Sequence, residues 1–178
     1  MDLKEDDAFL ASNGVLGNSY PYMNVDVSRV ATDSGNRVYI LTRAAPWMEI
    51  RDHDGKLLSS FGTGLFTDRT HGISIDKHDS VYRVDDANHI VRKFTRSGEL
   101  LMTLGTCGVP SDTDRFKGDA GTAPPEYRIF RSGAPFNRPT NIAIGDDGDL
   151  FVSDGYANAR IHHFQPRSEN PSSHGWRR

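Results

Sequence analysis

The sequence has 178 residues, of which 36% are hydrophobic and 25% charged, a balance that fits a soluble globular domain and excludes a disordered chain. Lysine and arginine total 21 against 24 acidic residues, and the net charge of -3 excludes a basic nucleic-acid footprint. No apolar run approaches a bilayer span, and Met1–Leu10 lacks the basic-then-apolar layout of a signal peptide, so no membrane partner is expected and the compartment stays unassigned.

In chain order, residues 1–19 show little alternation and read as an irregular lead-in. Three stretches with a shared layout follow, over about 20–62, 66–105 and 136–164. The first is loose: Val25-Asp-Val27, a turn around Asp33–Asn36, Val38–Leu41, Trp47–Ile50, Gly55, and Leu57–Gly62. The second is the clearest, running from Thr70-His-Gly-Ile-Ser-Ile-Asp76 through Val81–Asp85 and Asn88–Phe94 to Leu100–Gly105. A long Gly-, Pro-, Asp- and Ser-rich stretch, 106–135, reads as an inserted loop. It contains Cys107, whose solitude rules out an internal disulfide and a Cys-based structural zinc site. The third copy runs from Pro139–Asp154 to Asn158–Phe164, and 165–178 reads as a polar tail.

Each copy is a set of short period-2 apolar segments broken by Gly, Asp and Asn turns. Gly62 and Gly105 lie 43 residues apart, a spacing suited to a four-stranded propeller blade. One such sheet cannot bury both faces, whereas blades stacked around an axis bury them against each other. The predicted fold is therefore all-β, a partial β-propeller of about three four-stranded blades. The last is expected to be incomplete, because no apolar outer strand is visible after Phe164.

Several residues could carry chemistry. His71 opens the first strand of the second copy, where an imidazole could ligate zinc, and a solvent-exposed strand-start histidine is the plain alternative. Asn24 and Asn141 take the matching places in the other copies. Arg43 could clamp a carboxylate at the mouth of a channel, or sit in solvent as most arginines do. Tyr156, in Ser153-Asp-Gly-Tyr-Ala-Asn158, could act as a general base near a cation, or be an aromatic loop residue. Asp85 and Asp154 hold equivalent strand ends, and their repetition favours a structural role accepting backbone N–H groups. His53, His78 and His89 read as surface groups.

Taken together, these segments resemble NHL-repeat propellers, and specifically the peptidyl-α-hydroxyglycine α-amidating lyases (peptidylamidoglycolate lyases) and their bacterial relatives. The residues that carry the resemblance are Arg43 after Val-Tyr-Ile-Leu-Thr, Thr70-His-Gly-Ile-Ser-Ile-Asp76, Leu104–Pro110, Phe136-Asn-Arg-Pro-Thr140 and Ser153–Ile161. The resemblance implies a six-bladed propeller with channel-bound zinc and calcium that cleaves peptidyl-α-hydroxyglycine to a peptide amide and glyoxylate. By resemblance, His71 matches a zinc ligand, and the carbonyls of Val25 and Ile73 match calcium ligands. Tyr156 matches the catalytic tyrosine, and Arg43 an arginine that holds the substrate.

The family's other zinc histidines, its calcium aspartate and a second arginine belong to later blades that this sequence does not reach. The chain is thus expected to resemble a truncated lyase, with an incomplete site, doubtful metal binding and little or no activity alone. The alternative is a non-catalytic NHL interaction module. Expected partners are a small α-hydroxyglycine-type substrate or a second copy meeting an exposed blade edge.

Overall fold

The computed structural model describes residues 27–113, 133, 135–166 and 176–177, arranged in two compact units that divide between Asp68 and Arg69. Val25, Asn24, His174 and the lead-in lie outside the described residues, as does most of the predicted insertion. Every described element is a β-strand.

The first unit holds one antiparallel sheet of β1 (Val27–Thr32), β2 (Val38–Thr42), β3 (Met48–Arg51) and β4 (Leu57–Phe61), paired in that order. Its burial follows strand position. Tyr39, Ile40 and Leu41 in β2 and Met48 and Ile50 in β3 are buried, while Leu57 and Leu58 in β4 are exposed. A middle strand with both faces covered reads as a continuous apolar run, as Val-Tyr-Ile-Leu does here. The β1–β2 turn is tied by Asp33, whose carboxylate accepts from the Gly35 and Arg37 N–H groups, the Arg37 guanidinium and the Tyr39 hydroxyl.

The second unit holds two such sheets. One is β5 (Thr70–Ile75), β6 (Val81–Asp85), β7 (Ile90–Phe94) and β8 (Leu100–Leu104). The other is β9 (Asn141–Ile144), β10 (Leu150–Asp154), β11 (Arg160–Pro166) and the two-residue β12 (Trp176–Arg177). Three antiparallel sheets of this kind make a partial propeller by count, since closed rings have four to eight blades. After Phe164 the described residues supply one short outer strand, β12, which pairs Arg177 with Gln165 and Trp176 with Pro166. As expected, the third blade is incomplete: among the described residues its outer strand has two residues where β4 and β8 have five.

The two sheets of the second unit share one core. Tyr82, Val84 and Val91 from the second blade meet Phe136, Ile142, Leu150, Val152 and Phe164 around the third. Burying these faces is what turns two marginal four-stranded sheets into a stable pair. Close approach of β5 to β9 depends on Gly72, where a Cβ would lie 3.0 Å from the Asn141 Cα and 3.0 Å from the Thr140 carbonyl oxygen. The Ser74 hydroxyl crosses the same seam to donate to the Ile142 carbonyl at 2.7 Å. No helix among the described residues is long and apolar enough to cross a membrane.

Candidate functional site

His71 owes its position to a β-bulge. The β5–β6 register shifts between Thr70 and Gly72, so His71 is the extra residue, and such a bulge re-aims a side chain away from the pleat. The same shift occurs in the first sheet around Ser28, which makes Ser28 the register equivalent of His71 there rather than Asn24. In the third sheet Asn141 pairs opposite Ser153 and so matches Gly72, not His71.

The bulge aims the imidazole at the third blade. Its Nδ1 lies 2.8 Å from the Thr140 carbonyl oxygen, which can only accept, so Nδ1 carries the proton. The Tyr156 hydroxyl lies 2.8 Å from Nε2, and in the neutral ring it donates to that nitrogen. The two rings meet edge to face, 5.2 Å apart. Tyr156 stands just after β10 and stays 43% exposed, so the hydrogen-bonded pair opens to solvent at this end of the blades. Chemically, such a pair can pass the phenol proton to the imidazole across one hydrogen bond.

One arginine lies against Tyr156. The Arg138 guanidinium lies 5.4 Å from the Tyr156 ring centroid, in cation–π range. Its Nη2 also reaches the Asp86 carboxylate at 3.0 Å, and Arg69 grips the same carboxylate through two hydrogen bonds of 3.0 and 2.6 Å. Asp86 is 1% exposed and thus anchors both arginines. Sequence reasoning missed Arg138, Asp86 and Thr140. Arg138 was visible only as part of Phe136-Asn-Arg-Pro-Thr140, and Thr140 acts through its backbone oxygen, which no residue pattern reports.

His89, expected at the surface, is half-buried. Its Nδ1 accepts the Arg138 N–H at 3.0 Å, because the chain around Arg138 folds over the β6–β7 turn. Burial holds its pKa below the ordinary histidine value, against the raising effect of Asp154, Asp86 and Asp85. A folded pKa below the unfolded one means that the unfolded chain takes up the proton first as pH falls. The His89 contribution is therefore complete above about pH 6.5 and is lost as pH falls below it. Urea unfolding at pH 7.5 and pH 5.5 should show a less stable second unit at the lower pH. Equal or greater stability at pH 5.5 would contradict this reading of His89.

The other predicted site residues are placed as follows. Arg43 follows β2 in the first unit and is exposed, whereas His71 and Tyr156 belong to the second unit. Ile73 lies mid-strand in β5, paired with Arg83 and 7% exposed. Among the described residues, no three His, Cys, Asp or Glu side chains are grouped so as to hold a metal ion. One imidazole with both nitrogens engaged does not fit a four-coordinate zinc site, and the Ile73 carbonyl alone does not fit a six- to eight-oxygen calcium site. Asp85 and Asp154 accept backbone N–H groups from Asn88 and Asn137 respectively, at 3.0 and 2.9 Å. His162 points into the blade at Asp154, and His163 points outward at Asp149.

Residues 136–164, which contain β9, β10 and Tyr156, match the NHL repeat model. The sheets are NHL-type blades. The NHL chain is remotely homologous to amidating lyases. Over 118 residues it is 33% identical to peptidyl-alpha-hydroxyglycine alpha-amidating lyase 1 of Drosophila melanogaster, covering 65% of this chain and 18% of that protein. Over 119 residues it is 29% identical to the probable peptidyl-alpha-hydroxyglycine alpha-amidating lyase pgal-1 of Caenorhabditis elegans, covering 66% of this chain and 28% of that protein. The NHL chain thus spans less than a third of the length of either relative. Virginiamycin B lyase from Staphylococcus aureus resembles it in fold, with a TM-score of 0.50 at 12% identity, over 82% of this chain and 43% of that one.

Proposed function

We propose that this chain is a non-catalytic NHL-repeat interaction module of amidating-lyase descent, with blades over about 20–62, 66–105 and 136–164. The observation that supports this reading is the state of His71. The residue that resemblance matches to a zinc ligand has Nδ1 on the Thr140 carbonyl and Nε2 on the Tyr156 hydroxyl, so it ties one blade to the next. Binding by such a module falls to the loops at the blade ends, with 106–135 the longest of them.

The experiment is metal analysis of the full chain, together with an assay of glyoxylate release from a small N-acyl-α-hydroxyglycine in the presence of zinc and calcium. The expected result is no turnover above the buffer rate and no stoichiometric zinc. Robust turnover with one zinc per chain would overturn the reading.

A second reading has one specific observation in its favour. His71 and Tyr156, matched separately by resemblance and 85 residues apart, lie within one hydrogen bond of each other. In this reading the chain carries part of a lyase site for peptidyl-α-hydroxyglycine. Tyr156 would serve as the base and Arg43 would hold the substrate. His71 would contribute to a zinc site, Val25 and Ile73 would offer carbonyls to calcium, and the remaining ligands would come from elsewhere. Turnover that is lost in both Tyr156→Phe and His71→Ala would favour it.

A further inference from the structure

In the seam between the second and third blades, a titratable side chain holds a backbone amide. The Arg138-Pro139 stretch lies between two residues whose own N–H groups are fixed by the third blade. Asn137 donates to the Asp154 carboxylate at 2.9 Å, and Thr140 donates to the Ser153 carbonyl at 2.8 Å. Proline has no N–H, so the stretch between these anchors is held through the Arg138 N–H, which donates to His89 Nδ1 at 3.0 Å.

Arg138 needs that hold. Its φ is +63°, in the left-handed region that a residue with a Cβ rarely adopts, and the proline after it favours extended backbone instead. This conformation delivers the guanidinium to its place, 5.4 Å from the Tyr156 ring centroid and 3.0 Å from the Asp86 carboxylate.

Protonation changes what His89 can do. With Nδ1 accepting, the neutral ring carries its proton on Nε2. A second proton, on Nδ1, sets donor against donor and takes away the Arg138 acceptor. The imidazolium also repels the Arg138 guanidinium. The charged groups facing His89 are Asp85 and Asp86 at the end of β6, Asp154 at the end of β10, and Arg138 itself. Each carboxylate is already engaged, Asp85 by Arg83, Asp86 by Arg69 and Arg138, and Asp154 by His162. Their raising effect is outweighed by burial, so the ring is neutral at neutral pH and takes its proton on the acid side.

We infer that His89 is a proton-operated latch on Arg138: the neutral imidazole holds the guanidinium against Tyr156, and the imidazolium releases it and uncovers that face of the ring. His71 keeps its place, because its acceptor Thr140 is anchored separately on Ser153. The latch goes beyond the interaction-module reading and operates whether or not the site is catalytic.

The test is NMR of the full chain, titrated from about pH 7.5 to about pH 5. It follows the His89 ring nitrogens, the nuclear Overhauser effect between the Arg138 side chain and the Tyr156 ring, and backbone amide exchange. His89 Nδ1 should take up its proton below pH 6.5. At the same midpoint the Arg138–Tyr156 Overhauser effect should vanish. The protection of the Arg138 amide should fall at least about tenfold there, with amides in β6 and β10 still protected. His89→Asn supplies an acceptor that does not titrate, on a residue type that tolerates the φ of +56° at this position, and should keep the Overhauser effect down to about pH 5. A His89 that stays neutral throughout would overturn the inference, as would an Overhauser effect that survives His89 protonation or is lost equally in His89→Asn. Loss of protection in β6 and β10 together with Arg138 would also overturn it, since the whole unit would then be opening. Should His89→Asn fail to fold, the coincidence of the two midpoints in the wild type decides alone.

Discussion

Replacing Asp85 with alanine is expected to destabilise the second unit by about 3–5 kcal/mol, the range for removing one partner of a buried ion pair. Asp85 and Arg83 are both 0% exposed, and the Arg83 Nη2 lies 3.0 Å from the Asp85 carboxylate. Burial pushes the Arg83 pKa down to about 10, against the raising effect of the Asp85 charge and hydrogen bond, so the guanidinium stays charged at neutral pH. Alanine at 85 leaves that charge buried without its carboxylate. It also strips acceptors from the Asn88 N–H and side-chain amide, at 3.0 and 3.2 Å. Because the cost arises from an orphaned charge, the double variant Arg83→Met/Asp85→Leu should recover most of the loss. Urea unfolding of the three proteins measures both effects. An Asp85→Ala cost below about 1 kcal/mol would show that the pair is hydrated rather than buried.

Phe136→Ala is the second large effect, also expected at about 3–5 kcal/mol. Phe136 is 0% exposed and belongs to the core shared by the second and third blades. Its ring meets His162 edge to face at 4.8 Å and Phe164 at 5.9 Å. It also packs on Gly105, where a Cβ would lie 3.0 Å from the Phe136 ring and 2.5 Å from the His89 carbonyl oxygen. At that position the backbone has φ +86°, the left-handed region that favours glycine, so the contact and the turn are fixed together. Truncating the ring opens a cavity between the blades that the backbone at Gly105 cannot close. The loss should appear as a fall in the urea midpoint and as faster hydrogen exchange in β6 and β10. A cost below about 1.5 kcal/mol would mean that the shared core collapses around the gap.

Blade architecture was legible because the turns are made by residue types with a local reason to be there, such as Asp33, Gly105 and Asp76. The 43-residue interval between Gly62 and Gly105 then set the period. Partners were harder to read. Alternation places a polar residue between Tyr82 and Val84 in solvent, and the chain instead buries Arg83 there against Asp85, because both faces of β6 are covered. Strand β12, Trp176–Arg177, is too short for a period-2 pattern to reveal, since two residues of backbone pairing suffice to make it. His89 was read as a surface group because its neighbour Arg138 is 49 residues away, and local sequence holds no trace of that contact.

The candidate site divides in the same way. His71 and Tyr156 stood out by resemblance and by their places at strand ends, and the stacking of two blades brings them within 2.8 Å. The bulge that aims His71 and the Thr140 carbonyl that fixes its tautomer are backbone features. The Asp86 anchor holds Arg69 and Arg138 over separations of 17 and 52 residues, which only the folded blades make short.

His71 is committed to the blade seam, with its proton on Nδ1 and Nε2 on Tyr156. Nitrogen NMR of the imidazole rings in the full chain, recorded while zinc is added, tests it most directly. The expected result is a His71 ring with Nδ1 protonated, unchanged by one equivalent of zinc and altered at Nε2 by Tyr156→Phe. Stoichiometric zinc that shifts the His71 Nε2 resonance and frees the Tyr156 hydroxyl would contradict it.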